Sequence, residues 1–252
     1  MRFIVVHRNS VVFYAFVFLL AIGIILSADP PTIGVSTTVT KLLPIYSVET
    51  TEKVVAITFD AAWGNEDTEQ IIEALNKYDA KATFFVVGDW VDRFPDSVKS
   101  LHGAGHEIAN HSDRHPHPNA LSKDAMTADI KACQDKIKNT VGEVVPLYRP
   151  PYGEYNDNVI KTATEMGLFT IQWDVDSLDW KELTVDEIYD RVIKRTKSGS
   201  IILFHNGTKN TATALPKILQ TLSEQGYKFV RVSELIYKDN YKIDHTGRQF
   251  LK

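Results

Sequence analysis

The sequence predicts an α/β domain built on a parallel sheet and closed as an incomplete, distorted barrel. Three observations carry that expectation. From Val54 onward, short β-branched apolar runs alternate with amphipathic helical stretches, and parallel strands need such covering crossovers. The segment after the first run, Asp60-Ala61-Ala62-Trp63-Gly64, lacks the glycine-rich phosphate loop of an open dinucleotide-binding sheet. Ionisable residues recur at the ends of successive apolar runs, where a barrel gathers its reactive groups. A chain of 252 residues is long enough for one domain of that size.

Ahead of the domain, Arg2 and Arg8 precede an apolar run over residues 11–26 that is broken only by the small Gly23. The run approaches the ~20 residues needed to span a bilayer. Residues 1–28 therefore read as a cytoplasmic stub and transmembrane signal-anchor, with the two arginines inside and everything after Asp29 outside. A cleaved signal peptide, giving a secreted protein, is the alternative; Ser27 and Ala28 allow it, although the run is long for a signal sequence. Residues 29–53 read as an extracytoplasmic linker. Pro30, Pro31 and Gly34 make its first part an extended tether, and residues 41–51 could add a short strand at the domain edge.

The elements follow in order. Residues 54–59 form the first strand. Residues 67–78 form a helix with Ile71, Ile72 and Leu75 on one stripe, and 83–87 the second strand. A short helix at 95–102 stops at Gly103 and Gly105, before a weaker strand at 107–110. Residues 122–138 place Met126, Ile130, Cys133 and Ile137 at helical spacing, between a Ser122 N-cap and Gly142. A short strand at 147–149, a helix at 157–166 and a fifth strand at 169–175 come next. Thr184 and Glu187 form a capping box for a helix running to Lys197. A strand at 200–204 leads to a helix at 213–224, with Pro216 in its first turn, where a missing N–H costs little. The seventh strand spans 228–232, and Ser233 caps a last short helix. The polar residues 237–252 read as a surface tail.

Composition narrows the chemistry. A net charge of −4 gives no support to nucleic-acid binding, and no protein partner is indicated. The single cysteine, Cys133, excludes an internal disulfide and a four-cysteine zinc site, so any metal would need histidine and carboxylate ligands.

The strand ends supply candidates. Asp60 ends the first strand, as a general base or ligand; a structural capping carboxylate is the plain alternative. His111 and His115 follow the third, in His-Ser-Asp-Arg-His. On a helical turn this spacing puts both imidazoles on one side, suited to a borderline ion such as zinc. His106 and His117 read as loop or supporting residues. Arg149-Pro150-Pro151-Tyr152-Gly153 ends the fourth strand. Its arginine can hold a carboxylate, and the Tyr152 N–H can face an oxyanion. The alternative there is a rigid turn with a surface arginine. Asp179 follows the fifth strand and His205 ends the sixth. An aspartate bonded to one imidazole nitrogen leaves the other to donate a proton. Trp180 and Leu203 could wall an apolar pocket.

Five stretches together resemble the NodB-homology polysaccharide deacetylases, carbohydrate esterase family 4: Thr58-Phe59-Asp60-Ala61, His111 to His115, Arg149 to Gly153, Asp176 to Trp180, and Leu203-Phe204-His205. The resemblance spans residues 54–236 and implies a distorted seven-stranded (β/α) barrel. It implies Asp60 as catalytic base with Arg149 as its partner, and His111 and His115 as ligands of a divalent metal: zinc, or cobalt or manganese. It also implies Tyr152 as oxyanion donor, Asp179 orienting the acid His205, and Trp180 and Leu203 around the acetyl methyl. The implied reaction is hydrolysis of N-acetyl groups on a cell-wall glycan. Trp63-Gly64 and the N-terminal apolar segment are similar to the sporulation-associated branch acting on peptidoglycan. Ala61 departs from the family, which carries an acidic third metal ligand there; water, Asp113 or a substrate group would have to fill the gap. Asn206 also stands where an aspartate is common. A catalytically weak or silent glycan-binding protein of the spore envelope, and an O-acetyl esterase, are the alternative functions.

Overall fold

The computed structural model describes residues 1, 7–27 and 41–252. The chain divides into two units, Met1–Thr40 and Lys41–Lys252. In the first, α1 (Arg8–Ser27) covers the apolar run as one helix of 20 residues. The described side chains of this helix end at Leu19, and among the described residues no helix is long and apolar enough to cross a membrane. The expected stub residues 2–6 and the tether at 29–40 lie outside the described residues.

The second unit opens with β1 (Ser47–Val48), β2 (Val54–Ala61), α2 (Thr68–Lys77), β3 (Ala82–Val86), α3 (Gly88–Arg93), α4 (Pro95–Gly103) and β4 (Glu107–Asn110). Then come α5 (Lys123–Val141), β5 (Leu147–Tyr148), α6 (Asp157–Glu165), β6 (Phe169–Thr170) and β7 (Val175–Asp176). It closes with α7 (Val185–Arg195), β8 (Ile201–His205), α8 (Thr211–Glu224), β9 (Lys228–Phe229), α9 (Val232–Leu235), β10 (Tyr241–Ile243) and β11 (Arg248–Leu251). The caps read from sequence are in place except the last: α9 is capped by Arg231, and Ser233 lies inside it. Ser122 accepts from the Ala125 N–H, Gly142 is left-handed, and Thr184 and Glu187 bond reciprocally. Helix α8 starts two residues earlier than expected, so Pro216 lies within it and not in its first turn.

The sheet runs β6-β5-β4-β3-β2-β8-β7, with β9 paired to the start of β2, and its pairings are parallel. The expected fifth strand at 169–175 is divided. Its first residues pair with β5 and its last with β8, so this one segment joins both ends of the curled sheet. A segment crossing a seam cannot keep one neighbour along its length, which explains the break.

Alternation along β2 sorts its residues. Val55, Ile57, Phe59 and Ala61 face the helices and join the large outer core, where the Phe59 ring stacks on Phe84 and Phe204. Ala56 packs in the inner core with Phe85, Ala109 and Ile201. Thr58 and Asp60 continue that inward row by the period of two.

Residues 237–252 are not a surface tail. Strand β11 pairs with β10 antiparallel and with β1 parallel. Gln249 is fully buried; its amide donates to the Tyr237 carbonyl at 2.7 Å and accepts the Tyr237 N–H at 2.8 Å. Gly199 lets β1 dock, because a Cβ there would sit 1.7 Å from the Val48 carbonyl oxygen. The compact unit therefore begins at Lys41 and ends at Lys252, wider than the expected 54–236. Gln249→Leu would remove the partners of both part-buried Tyr237 backbone groups, and we expect it to cost about 1–3 kcal/mol, read as a lower urea midpoint.

Candidate active site

The inward row of β2 ends at Asp60, which lies opposite His205 of β8 in the sheet register. Arg149, at the end of β5, runs inward and is completely buried. Its Nη1 donates to Asp60 Oδ1 at 2.8 Å and to Thr58 Oγ1 at 3.0 Å. Its Nη2 donates to the Gln172 carbonyl at 3.2 Å, and its guanidinium lies 4.0 Å from the centre of the Phe85 ring. Burial alone would raise the Asp60 carboxyl, but the charge and hydrogen bond of Arg149, with the charge of His205, hold it below its ordinary value. A carboxylate so held stays ionised. Arg149 is not a surface arginine on a turn.

His111 and His115 do meet, though not on a helical turn. The loop after β4 passes through left-handed backbone at Ser112 (φ 70°) and His115 (φ 55°). Local bonds hold it there: Asn110 Oδ1 accepts the Ser112 N–H, and Ser112 Oγ accepts the His115 N–H. His111 Nδ1 lies 2.7 Å from the Arg149 carbonyl. A carbonyl only accepts, so Nδ1 carries the proton and the Nε2 lone pair faces the site. Burial lowers both imidazoles, His115 to about 4, which keeps them neutral as metal ligands must be.

The two Nε2 atoms are 3.2 Å apart. Two nitrogens bound at ~2.0–2.1 Å to one tetrahedral ion sit about 3.3 Å from each other, so the pair fits two corners of such a site. The set does not close. Ala61 turns its methyl toward the helix-facing core, and Asp113 is engaged elsewhere, its Oδ1 2.7 Å from Lys136 Nζ. Among the described residues, no group of three ligating side chains is assembled.

Asp179 is buried and its four bonds fix His205. Oδ1 accepts from His205 Nδ1 at 2.7 Å and from the Trp180 N–H at 2.9 Å. Oδ2 accepts from the His205 N–H at 2.8 Å and from the Thr211 hydroxyl. Nδ1 is thus the donor to Asp179, and Nε2 is free for the cavity. Burial opposes charge on this ring, but the Asp179 hydrogen bond and charge outweigh it and raise His205 above its ordinary value.

Tyr152 has φ 59°, and its N–H has no acceptor among the described residues. Its exposed ring stacks on His117 at 4.3 Å and meets His115 edge-on at 4.4 Å; His117 in turn lies 2.9 Å from Glu154. His106 is elsewhere, buried, with Nδ1 accepting the Ala82 N–H. Asp60, His111, His115, Tyr152, Trp180, Leu203 and His205 line one cavity of about 460 Å³. Trp63 and Trp173 line it too, and both escaped the sequence reading, as did Thr211. Trp63 directly follows the Asp60 segment, a signal that could have found it. Trp173 lies inside the expected fifth strand and reads as core.

A fixed carboxylate, an imidazole with one nitrogen open to the cavity, a backbone N–H and an apolar wall are parts that hydrolysis of a small acyl group would need. A family model described as polysaccharide deacetylase matches residues 47–171. A peptidoglycan-N-acetylglucosamine deacetylase of Bacillus cereus is 41% identical over 196 residues, covering 76% of this chain and 92% of that protein. The solved structure of BA3943, a family 4 pseudoenzyme from Bacillus anthracis, has 34% identity and a TM-score of 0.74, covering 83% of this chain and 73% of that one. A mutant of BA3943 described as having restored enzymatic activity matches with 38% identity and the same TM-score of 0.74, over 76% of this chain and 70% of that one. The chain belongs to the NodB-homology polysaccharide deacetylases, carbohydrate esterase family 4.

Arg149→Met would leave the Asp60 carboxylate buried without its cation. Unfolding in urea is expected to lose about 3–5 kcal/mol, with Arg149→Lys less harmful because a charge remains.

Proposed function

We propose that this chain removes N-acetyl groups from a cell-wall glycan, most naturally peptidoglycan. The observation that carries it is the convergence of Asp60, His205 and the Tyr152 N–H on one cavity. In this reading the acetyl methyl rests against Leu203 and Trp180. Asp60, kept ionised by Arg149, takes a proton from the attacking water. The Tyr152 N–H stabilises the tetrahedral oxyanion. His205, charged and aimed by Asp179, gives its proton to the leaving sugar nitrogen, so acetate and a free amine depart. A divalent ion held by His111 and His115 would polarise the carbonyl and acidify the water. Two imidazoles hold an ion weakly, so we expect low metal affinity.

The apolar run at 11–26 supports a membrane anchor, or a cleaved leader, with the domain outside the cell. The Bacillus relatives, described as peptidoglycan deacetylases, support a bacterial cell-wall setting; a role in sporulation rests on Trp63-Gly64 and the N-terminal apolar segment alone.

A second reading is a silent glycan-binding role, favoured by Ala61 and the unclosed ligand set. Acetate release from N-acetylated peptidoglycan, with zinc, cobalt or manganese added, separates the two. Release by the wild-type chain, abolished in Asp60→Asn, supports the enzyme. No release beside an active control, on any glycan, removes it. Ala61→Asp is expected to bind zinc at least about tenfold more tightly and to release acetate faster; unchanged zinc affinity would refute the two-ligand account.

Asp179→Asn should lower kcat by about 10²–10⁴-fold. The sign of its pH effect is fixed. Asp179 raises His205, so the acid form survives to higher pH in the wild type. The basic limb of the rate profile should move to lower pH in the variant.

A further inference from the structure

Gln172 lies between β6 and β7, buried, and is not among the residues that line the catalytic cavity. Its backbone is held from far along the chain. The Gln172 N–H donates to the Ile45 carbonyl at 2.7 Å, and the Ile45 N–H donates to the Thr170 carbonyl at 2.9 Å. The Gln172 carbonyl accepts from Nη2 of Arg149 at 3.2 Å, the arginine that holds Asp60. Its side chain turns to a different part of the site: Nε2 donates to the Gly153 carbonyl at 3.2 Å.

The turn that receives this bond needs holding. Tyr152 (φ 59°) and Gly153 (φ 66°) are left-handed in succession. Glycine is at ease there, so the strain falls on Tyr152. The Gly153 N–H donates to the Pro150 carbonyl at 3.2 Å and the Glu154 N–H to the Pro151 carbonyl at 3.0 Å. Both bonds are local and tie the turn only to itself. Among the described residues, the Gln172 amide supplies the hydrogen bond that fastens the backbone of residues 151–153 to the sheet. The fit is close as well, since a Cβ on Gly153 would lie 2.9 Å from the Trp173 ring. An N–H that stabilises an oxyanion is effective only when it is fixed before the charge develops. The Tyr152 N–H belongs to this turn and has no bond of its own to fix it.

We propose that Gln172 is the positioning residue of the oxyanion donor. Its amide holds the 151–153 turn so that the Tyr152 N–H keeps one direction, while its carbonyl seats the arginine that serves Asp60. The inference rests on the hydrolytic reading above. It adds that the candidate base and the oxyanion donor share one support, which stands behind the cavity and touches no substrate.

The test is Gln172→Met in the full chain, which keeps the length of the side chain and removes the donor. Gln172→Asn is the milder second variant: it keeps the amide, shortens its reach by one methylene, and carries the test if the methionine variant does not fold. The first readout is NMR relaxation of backbone amides in the ligand-free protein. The Tyr152 and Gly153 signals are expected to gain microsecond-to-millisecond exchange that the wild type lacks, while those of Asp60 and His205 stay as they were. The second is acetate release. We expect kcat to fall about ten- to hundredfold, less than the ~10²–10³-fold cost of deleting such a donor, because the N–H is loosened and not removed. KM should stay within about twofold, since the interaction is made only in the transition state. The acid limb of the pH profile should not move. An acid limb moved to higher pH overturns the inference, because the effect would then run through Arg149 and Asp60. A raised KM at unchanged kcat overturns it too, since the turn would then serve ground-state binding. Amide relaxation at Tyr152 and Gly153 that matches the wild type in the folded variants overturns it whether or not the chain is a hydrolase. A wild type that releases no acetate removes the hydrolytic reading alone, and relaxation at the turn still decides whether Gln172 holds it.

Discussion

The ion pair between Arg149 and Asp60 is the constraint on which the site depends. Both groups are buried inside the curled sheet, where an unpaired charge would be costly. The guanidinium binds one carboxylate oxygen, and the other, Oδ2, lies 3.4 Å from His111 Nε2. The same residue's carbonyl takes the His111 Nδ1 proton. Arg149 thus fixes the charge of the candidate base through its side chain and the tautomer of a candidate metal ligand through its backbone. Two functions that could drift apart are tied to one position at the end of β5.

Alternation in β2 explains how a metal ligand can be missing while the rest of the site stays whole. Asp60 points inward with Thr58, and Ala61 turns outward into a core of Phe59, Phe84 and Val86. The partner of Asp60 is Arg149; those of Asp179 are His205, Trp180 and Thr211. None of these bonds runs through residue 61. Asp60, Asp179 and His205, the candidate acid and base groups, therefore rest on networks separate from the third ligand position.

Much of this was legible in the sequence. Period-two runs and capped helices place the strands, and the strand ends carry Asp60, Arg149, Asp179 and His205. What escaped is non-local. Residues 241–251 form strands only because β1 and the Gln249 side chain meet them from far along the chain, and no local pattern announces that. The split at 169–176 comes from closing a ring, which a strand's own composition does not encode. The histidine pair was found for a reason that does not hold: helical spacing suggested it, whereas two left-handed residues deliver it. Trp63 read only as a mark of the family branch and Trp173 as part of a strand, because only the fold shows which face of a large ring is left uncovered.

Backbone strain bears on whether the site is used. Among the described residues, seven non-glycine residues have positive φ, and Ser112, His115, Tyr152 and Leu178 belong to the segments that build this cavity. Each costs on the order of 1–2 kcal/mol relative to relaxed backbone. Tyr152 is the most telling. Its left-handed backbone leaves an N–H without a protein partner and holds the ring against His115 and His117. Stability alone would favour a glycine at such a position, or a relaxed loop. The strain is held by Asn110, Ser112, Asp113 with Lys136, and the Asp176 carboxylate that accepts the Leu178 N–H. A scaffold that keeps several strained residues around one cavity, with Ser112, His115 and Leu178 secured by side-chain bonds, carries a cost there that stability alone does not explain.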